Sequence, residues 1–120
     1  MDRPFPFPHQ RLDAWRVALE LVTQVKTLCE RIPRGYRNVA DHMLRAAVNT
    51  ALLLAEGANR LTAGQKRQRF GEARGEVGEV AGGAQVAAAL GLVPTAEAER
   101  VQHTAGRVAA MLTRLIAVQR

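Results

Sequence analysis

Gly71-Glu72-Ala73-Arg74-Gly75-Glu76-Val77-Gly78-Glu79-Val80-Ala81-Gly82-Gly83, written GEARGEVGEVAGG, puts five of the chain's ten glycines into thirteen residues. Read as a loop, it points to a phosphate-binding enzyme; read as a helix, it points to a packing protein. A phosphate-cradling glycine loop sits at a strand-to-helix turn with G-x-x-x-x-G-K-[ST] spacing, and this stretch has neither the spacing nor a preceding strand. On a helical wheel at about 100° per residue, Phe70, Val77, Ala81, Ala84 and Ala88 gather on one side, with Ala73 and Val80 at its edge. Gly71, Gly75, Gly78 and Gly82 form an adjacent stripe that Ala89 continues, and Glu72, Glu76 and Glu79 take the far side. The segment therefore reads as a helix. Four interior glycines cost about 1 kcal/mol each relative to alanine. Either codon drift placed them, or close approach by another helix, of the bundle or of a second subunit, compensates. Their clustering favours close approach, whereas Gly83 falls among the acids as drift would place it.

Working outward, Thr62 with Gln65 forms a capping-box pattern that opens this third helix, and Leu90 closes it with Gly91 beyond. Pro94-Thr95 starts a fourth helix with Glu97 and Glu99 in its first turn; Val101, Ala105, Val108, Leu112, Leu115 and Val118 make its apolar stripe. Upstream, three-and-four spacing from Leu12 to Ile32 predicts a first helix ended by Pro33-Arg34-Gly35. Asn38 with Asp41 has the form of a capping pair for a second helix, apolar almost all round and stopped at Glu56-Gly57. The fold class is all-α, an antiparallel up-down four-helix bundle with short loops. Pro4, Pro6 and Pro8 alternate with Phe5 and Phe7, so residues 1–11 read as an extended arm before a single bundle domain of residues 12–120. The arm is expected to lie against its own bundle or a neighbouring subunit.

The chain has 120 residues, room for one core, and abundant alanine with few aromatics suits helices packed through small side chains. A net charge of +6, carried mostly by arginine, makes nucleic acid a plausible partner; GC-rich codon usage would also raise Arg, Ala and Gly together. Arg100, Arg107 and Arg114 recur every seven residues on the fourth helix and could track a phosphate backbone. They could equally flank the core and pair with acids of another helix or subunit.

Enzyme and metal chemistry find little footing. Cys29, the only cysteine, sits on an apolar face, and the three histidines stand in no catalytic motif. A carboxylate-bridged metal centre wants Glu-x-x-His on two helices, and that spacing does not occur. No cofactor, no metal and no enzymatic activity are expected. Arg45 and Glu56 lie about three turns apart on the apolar second helix, and Arg74 lies between the apolar and glycine faces of the third. Charges so placed need partners, which predicts a partly buried Arg–Glu network inside the bundle. No run of the sequence has the length of a membrane span, and the start lacks a signal-peptide pattern, so no membrane contact and a cytoplasmic location are expected.

These residues also carry a resemblance. Leu12-Asp13-Ala14-Trp15-Arg16-Val17-Ala18, Leu44-Arg45-Ala46-Ala47-Val48, Ala55-Glu56-Gly57-Ala58-Asn59-Arg60 and Arg69-Phe70, followed by Ala73-Arg74-Gly75 with Glu79, resemble the four-helix-bundle proteins encoded in intervening sequences of bacterial 23S ribosomal RNA genes (S23-type). The opening Phe7-Pro8-His9-Gln10-Arg11 resembles a subset of them. The resemblance implies an antiparallel bundle that assembles into a ring, typically a homopentamer, without catalytic activity. It also implies kinship with the accessory variability proteins of diversity-generating retroelements, which engage nucleic acid and a reverse transcriptase. Arg45, Glu56, Arg74 and Glu79 match the family's polar signature. Leu53 departs from it, standing where Asn is usual, three residues before Glu-Gly. The expected function is nucleic-acid binding by a homo-oligomer; the alternative is an adaptor that assembles with itself or with a protein such as a reverse transcriptase.

Overall fold

The computed structural model describes residues 7–120, and all regular structure in them is helical. Four helices, α1 (Asp13–Cys29), α2 (Arg37–Asn59), α3 (Ala63–Ala89) and α4 (Thr95–Ala117), run up and down, each packed against its sequence neighbours, and α4 closes back onto α1. Short connections leave antiparallel neighbours as the simplest arrangement, which is the four-helix bundle expected.

The core is made of a few large side chains set among alanines. Leu21, Leu28, Met43, Leu54, Phe70 and Leu112 are fully buried, and Ala18, Ala47, Ala73, Ala84, Ala87 and Ala98 between them are no more exposed. Each large side chain contributes roughly 1.5–3 kcal/mol by leaving water. The small ones let the helices approach. Thr50 and Thr104 are the polar exceptions, and each hydroxyl donates to the carbonyl one turn back, Ala46 O at 2.8 Å and Arg100 O at 3.2 Å. On α3 the buried face runs through Phe70, Ala73, Val77, Val80, Ala84 and Ala87. Ala73 and Val80, read from the wheel as edge positions, are therefore central, while Ala81 and Ala88 are only partly buried.

Local signals set both ends of α3. The Thr62 hydroxyl accepts the Gln65 N–H at 3.2 Å, so α3 starts as its capping box predicts. It ends in a Schellman motif: Gly91 takes φ +72°, its N–H reaches Ala88 O, and the Leu92 N–H reaches Ala87 O. Other ends differ from expectation. α1 stops at Cys29 rather than Ile32, because Pro33 disfavours helical geometry in the residue before it and the chain tightens into three-residue turns. A 3-10 turn, Arg34–Tyr36, leads directly into α2, so Tyr36 rather than Asn38 precedes its first residue and the Asn38–Asp41 pair caps nothing.

Gly57 does not stop α2. The helix runs on to Asn59, and a Cβ on Gly57 would stand 2.7 Å from the Phe70 ring, so this glycine admits α3. Gly83, set aside as drift, is likewise close-packed, with Met43 Cγ at 3.1 Å from where its Cβ would be.

The expected arm, residues 1–11, is described only from Phe7. There Pro8–Arg11 form one turn of 3-10 helix lying on α2 rather than an extended chain, and Phe5 lies outside the described residues. Among the described residues, no helix is long and apolar enough to cross a membrane.

Candidate nucleic-acid interface

The topology sorts charge by position. The start of α1, the end of α2, the start of α3 and the end of α4 meet at one end of the bundle, as two contacts confirm. Arg67 donates to Gln119 O at 3.0 Å, and Asn59 meets His9 at 2.8 Å. Cut at the helix midpoints, this half carries Arg11, Arg16, Arg60, Lys66, Arg67, Arg69, Arg74, Arg107, Arg114 and Arg120 against Asp13, Glu20, Glu56, Glu72 and Glu76. In the other half Lys26, Arg31, Arg34, Arg37, Arg45 and Arg100 nearly balance Glu30, Asp41, Glu79, Glu97 and Glu99. Asp2 and Arg3, outside the described residues, cancel, so five of the six excess positive charges belong to one half. Two helix N-termini and two C-termini share that end. Their partial charges of about half a unit each therefore cancel and leave the excess intact.

Some of these cations are held by acids. Arg16 pairs with Asp13 at 2.6 Å, Arg60 and Arg69 share Glu56 at 3.0 and 3.6 Å, and Arg69 also reaches Glu72 at 2.8 Å. Others rest on neutral groups and keep their field. The Lys66 ammonium donates to Ala58 O at 2.8 Å at the end of α2, as Arg67 does at the end of α4, and both satisfy carbonyls that a helix C-terminus leaves free. Arg11, Arg114 and Arg120 are exposed and form no ion pair among the described residues.

The α4 line follows the seam with α1. Arg107 stands 3.6 Å from Glu20 of α1. Arg114 lines a groove that also contains Asp13, and Arg100 lines a mixed hollow with Thr23, Gln24, Thr27 and Glu97 over Leu28 and Val101. Glu97 is engaged by Arg31 at 2.8 Å, while the Gln24 Oε1 is buried without a hydrogen-bond donor. Of the three arginines, Arg114 is the one that belongs to the cationic half without a paired acid.

The expected buried network does not form. Arg45, Glu56, Arg74 and Glu79 are all exposed, and among the described residues no ion pair joins any two of them. Glu56 serves Arg60 and Arg69, the Arg74 Nε donates to the Thr113 hydroxyl at 2.7 Å, and Glu79 lines a groove with His42 and Met43. Although α2 reads in sequence as apolar almost all round, one side of it faces water and takes the charges. Glu76 was placed on the solvent side and is half-buried. Burial first, and the neighbouring Glu79 carboxylate second, hold its carboxyl above the usual range.

The glycine stripe meets nothing within the bundle. Gly71, Gly75 and Gly78 are exposed and Gly82 is half-buried, and a Cβ on any of the four would find open space. The stripe occupies the side of α3 opposite the core, so among the described residues no helix compensates for it.

Cys29 is half-buried; its thiol donates to Ala40 O at 3.4 Å, and burial, with Asp41 and Glu30 adding to it, pushes its pKa up to about 11. A thiol so held is a poor nucleophile. Among the described residues no group of three His, Cys, Asp or Glu side chains could hold a metal ion.

One cluster escaped the sequence reading. His9 stands edge-on to Trp15 with ring centroids 4.6 Å apart, and Phe7 stacks on His9 at 6.0 Å. The Asn59 Nδ2 donates to Ala55 O at 2.7 Å and lies 2.8 Å from His9 Nδ1, so one amide group ties the end of α2 to the imidazole. Asn59 and His9 are fifty residues apart, and no local pattern links them.

Comparison with curated protein sequences returns no match. The family model for the 23S rRNA-intervening sequence protein matches residues 10–114, from the turn after Phe7 to the last turns of α4. Spanning all four helices, that match places the chain in the 23S rRNA-intervening sequence protein family.

Proposed function

We propose that this protein is a non-enzymatic, self-assembling four-helix bundle that binds RNA or DNA through the cationic half of its surface. The observation that carries the reading is the concentration of the net charge at the end formed by the α2–α3 connection, with Arg11, Arg114 and Arg120 free to meet phosphates. Arg100 and Arg107 contribute less, since each lies beside carboxylates of the α1–α4 seam.

Fluorescence anisotropy with labelled RNA and DNA in about 50 mM salt tests it. Wild-type protein binds with a linear dependence on log salt. Replacing Arg11, Arg114 and Arg120 by glutamine lowers affinity and reduces the salt slope by about 2–3 units; replacing Arg100 and Arg107 has a smaller effect. Absence of binding at micromolar protein would overturn the proposal.

Self-assembly, as the ring implied by the resemblance, is supported by two unlike bare faces. Trp15, Leu19 and Val22 of α1 with Leu44, Val48 and Leu52 of α2 form an outward apolar strip, in which Leu19, Val48 and Leu52 are exposed. The glycine stripe of α3 is on another side. A knobbed face and a flat face on different sides suit head-to-tail contacts, which close into rings. The adaptor reading draws on the same faces: a protein partner such as a reverse transcriptase would cover them, and its capture would survive high salt.

A further inference from the structure

We propose that Phe7 is a stacking platform for an unpaired base, so that the cationic end selects single-stranded over double-stranded nucleic acid. The inference rests on the nucleic-acid reading above and adds the form of the ligand. Phe7 is 55% exposed, yet it is fixed in place. Its backbone N–H is held by Gln10 Oε1 at 3.2 Å, and its carbonyl accepts the Gln10 N–H at 3.1 Å. Its ring lies nearly parallel to that of His9, 25° apart, so His9 backs one face while more than half of the side chain stays exposed. His9 in turn is locked by Asn59 and by Trp15. A solitary exposed apolar side chain needs no explanation. An aromatic ring stacked on an imidazole that Trp15 and Asn59 hold, with its backbone tied twice to Gln10, at the end that carries the excess cations, is a different object.

The chemistry fits single strands. Arg11 ends the 3-10 turn that Phe7 precedes, Arg60 follows Asn59, and Lys66 reaches the carbonyl of Ala58 next to Asn59. Phosphates on those cations would bring a base to the exposed ring, as in sequence-tolerant single-strand binding, where each base has a face to stack. The imidazole behind Phe7 adds a second ring to the stack. In a duplex the bases are already stacked on each other, so a duplex meets the cations alone and loses the ring.

The test compares a labelled oligouridine, an unstructured DNA strand and a DNA duplex of the same length, bound to wild-type protein and to Phe7→Ala and Phe7→Tyr. Phe7→Ala weakens both single strands about tenfold and leaves the duplex unchanged, while Phe7→Tyr restores single-strand binding. Equal loss on strands and duplex, no loss on either, or a drop in native oligomer mass in Phe7→Ala would overturn the platform while leaving nucleic-acid binding standing. Wild-type protein that binds none of the three ligands would overturn both.

Discussion

At the scale of single residues, glycine means opposite things at different positions of this chain. A Cβ on Gly57 would press into the Phe70 ring, so Gly57→Ala costs about 1–3 kcal/mol by overpacking, measured as a shift in denaturant midpoint. Glu76 makes a pH-dependent claim. Its folded carboxyl keeps its proton to higher pH than the unfolded one, so the folded state loses relative stability as pH rises through the folded value. Glu76→Gln therefore raises the Tm at pH 7, and the gain closes as the pH falls below the ordinary value of 4.5. A Tm difference that is flat with pH would contradict this. Cys29, with its thiol pushed to about 11, alkylates roughly a hundredfold more slowly at pH 8 than a free cysteine does.

At the scale of elements, α3 separates what a sequence makes legible from what it hides. Its beginning at Thr62 and its end at Gly91 were readable because capping is local: a hydroxyl three residues from an N–H, and a glycine where φ turns positive. The apolar arc was readable to within about one residue's rotation. The partners of its surface were not. Which glycine touches a neighbour depends on how α2 and α3 are offset, and that offset put Phe70 on Gly57 and Met43 on Gly83 while leaving Gly75 and Gly78 bare. Arg74 was read toward the interior and instead crosses to Thr113, thirty-nine residues away. If the bare stripe is a subunit contact, Gly75→Leu with Gly78→Leu lowers the oligomer mass seen by native mass spectrometry. If it is only solvent-facing helix, the same change leaves the mass intact and raises stability by about 1 kcal/mol or more, the cost of two helical glycines.

At the scale of the whole molecule, charge rather than shape distinguishes one end from the other. The sequence disclosed the excess of arginine but not its address, since Arg11, Lys66 and Arg120 meet only when four helices are laid antiparallel. The candidate line on α4 was visible as a seven-residue period, yet the acid beside it, Glu20, comes from α1. Removing that acid should work in the direction opposite to the arginine substitutions. Glu20→Gln frees Arg107 and tightens nucleic-acid binding a few-fold at low salt, with a steeper salt slope by up to about one unit. Unaltered affinity and slope would show that Arg107 lies off the path of the ligand.

An even number of antiparallel helices also brings the chain in and out on one side. The described chain begins with the Pro8–Arg11 turn, where His9 meets Asn59, and its last turn places Gln119 beside Arg67, both at the cationic end. A purification tag or fluorescent fusion joined next to His9 or Gln119 is therefore tethered over the surface whose binding is to be measured, and an acidic one competes for it directly. Gly35, exposed in the turn between α1 and α2 at the opposite end, is the place for a label that leaves that surface clear.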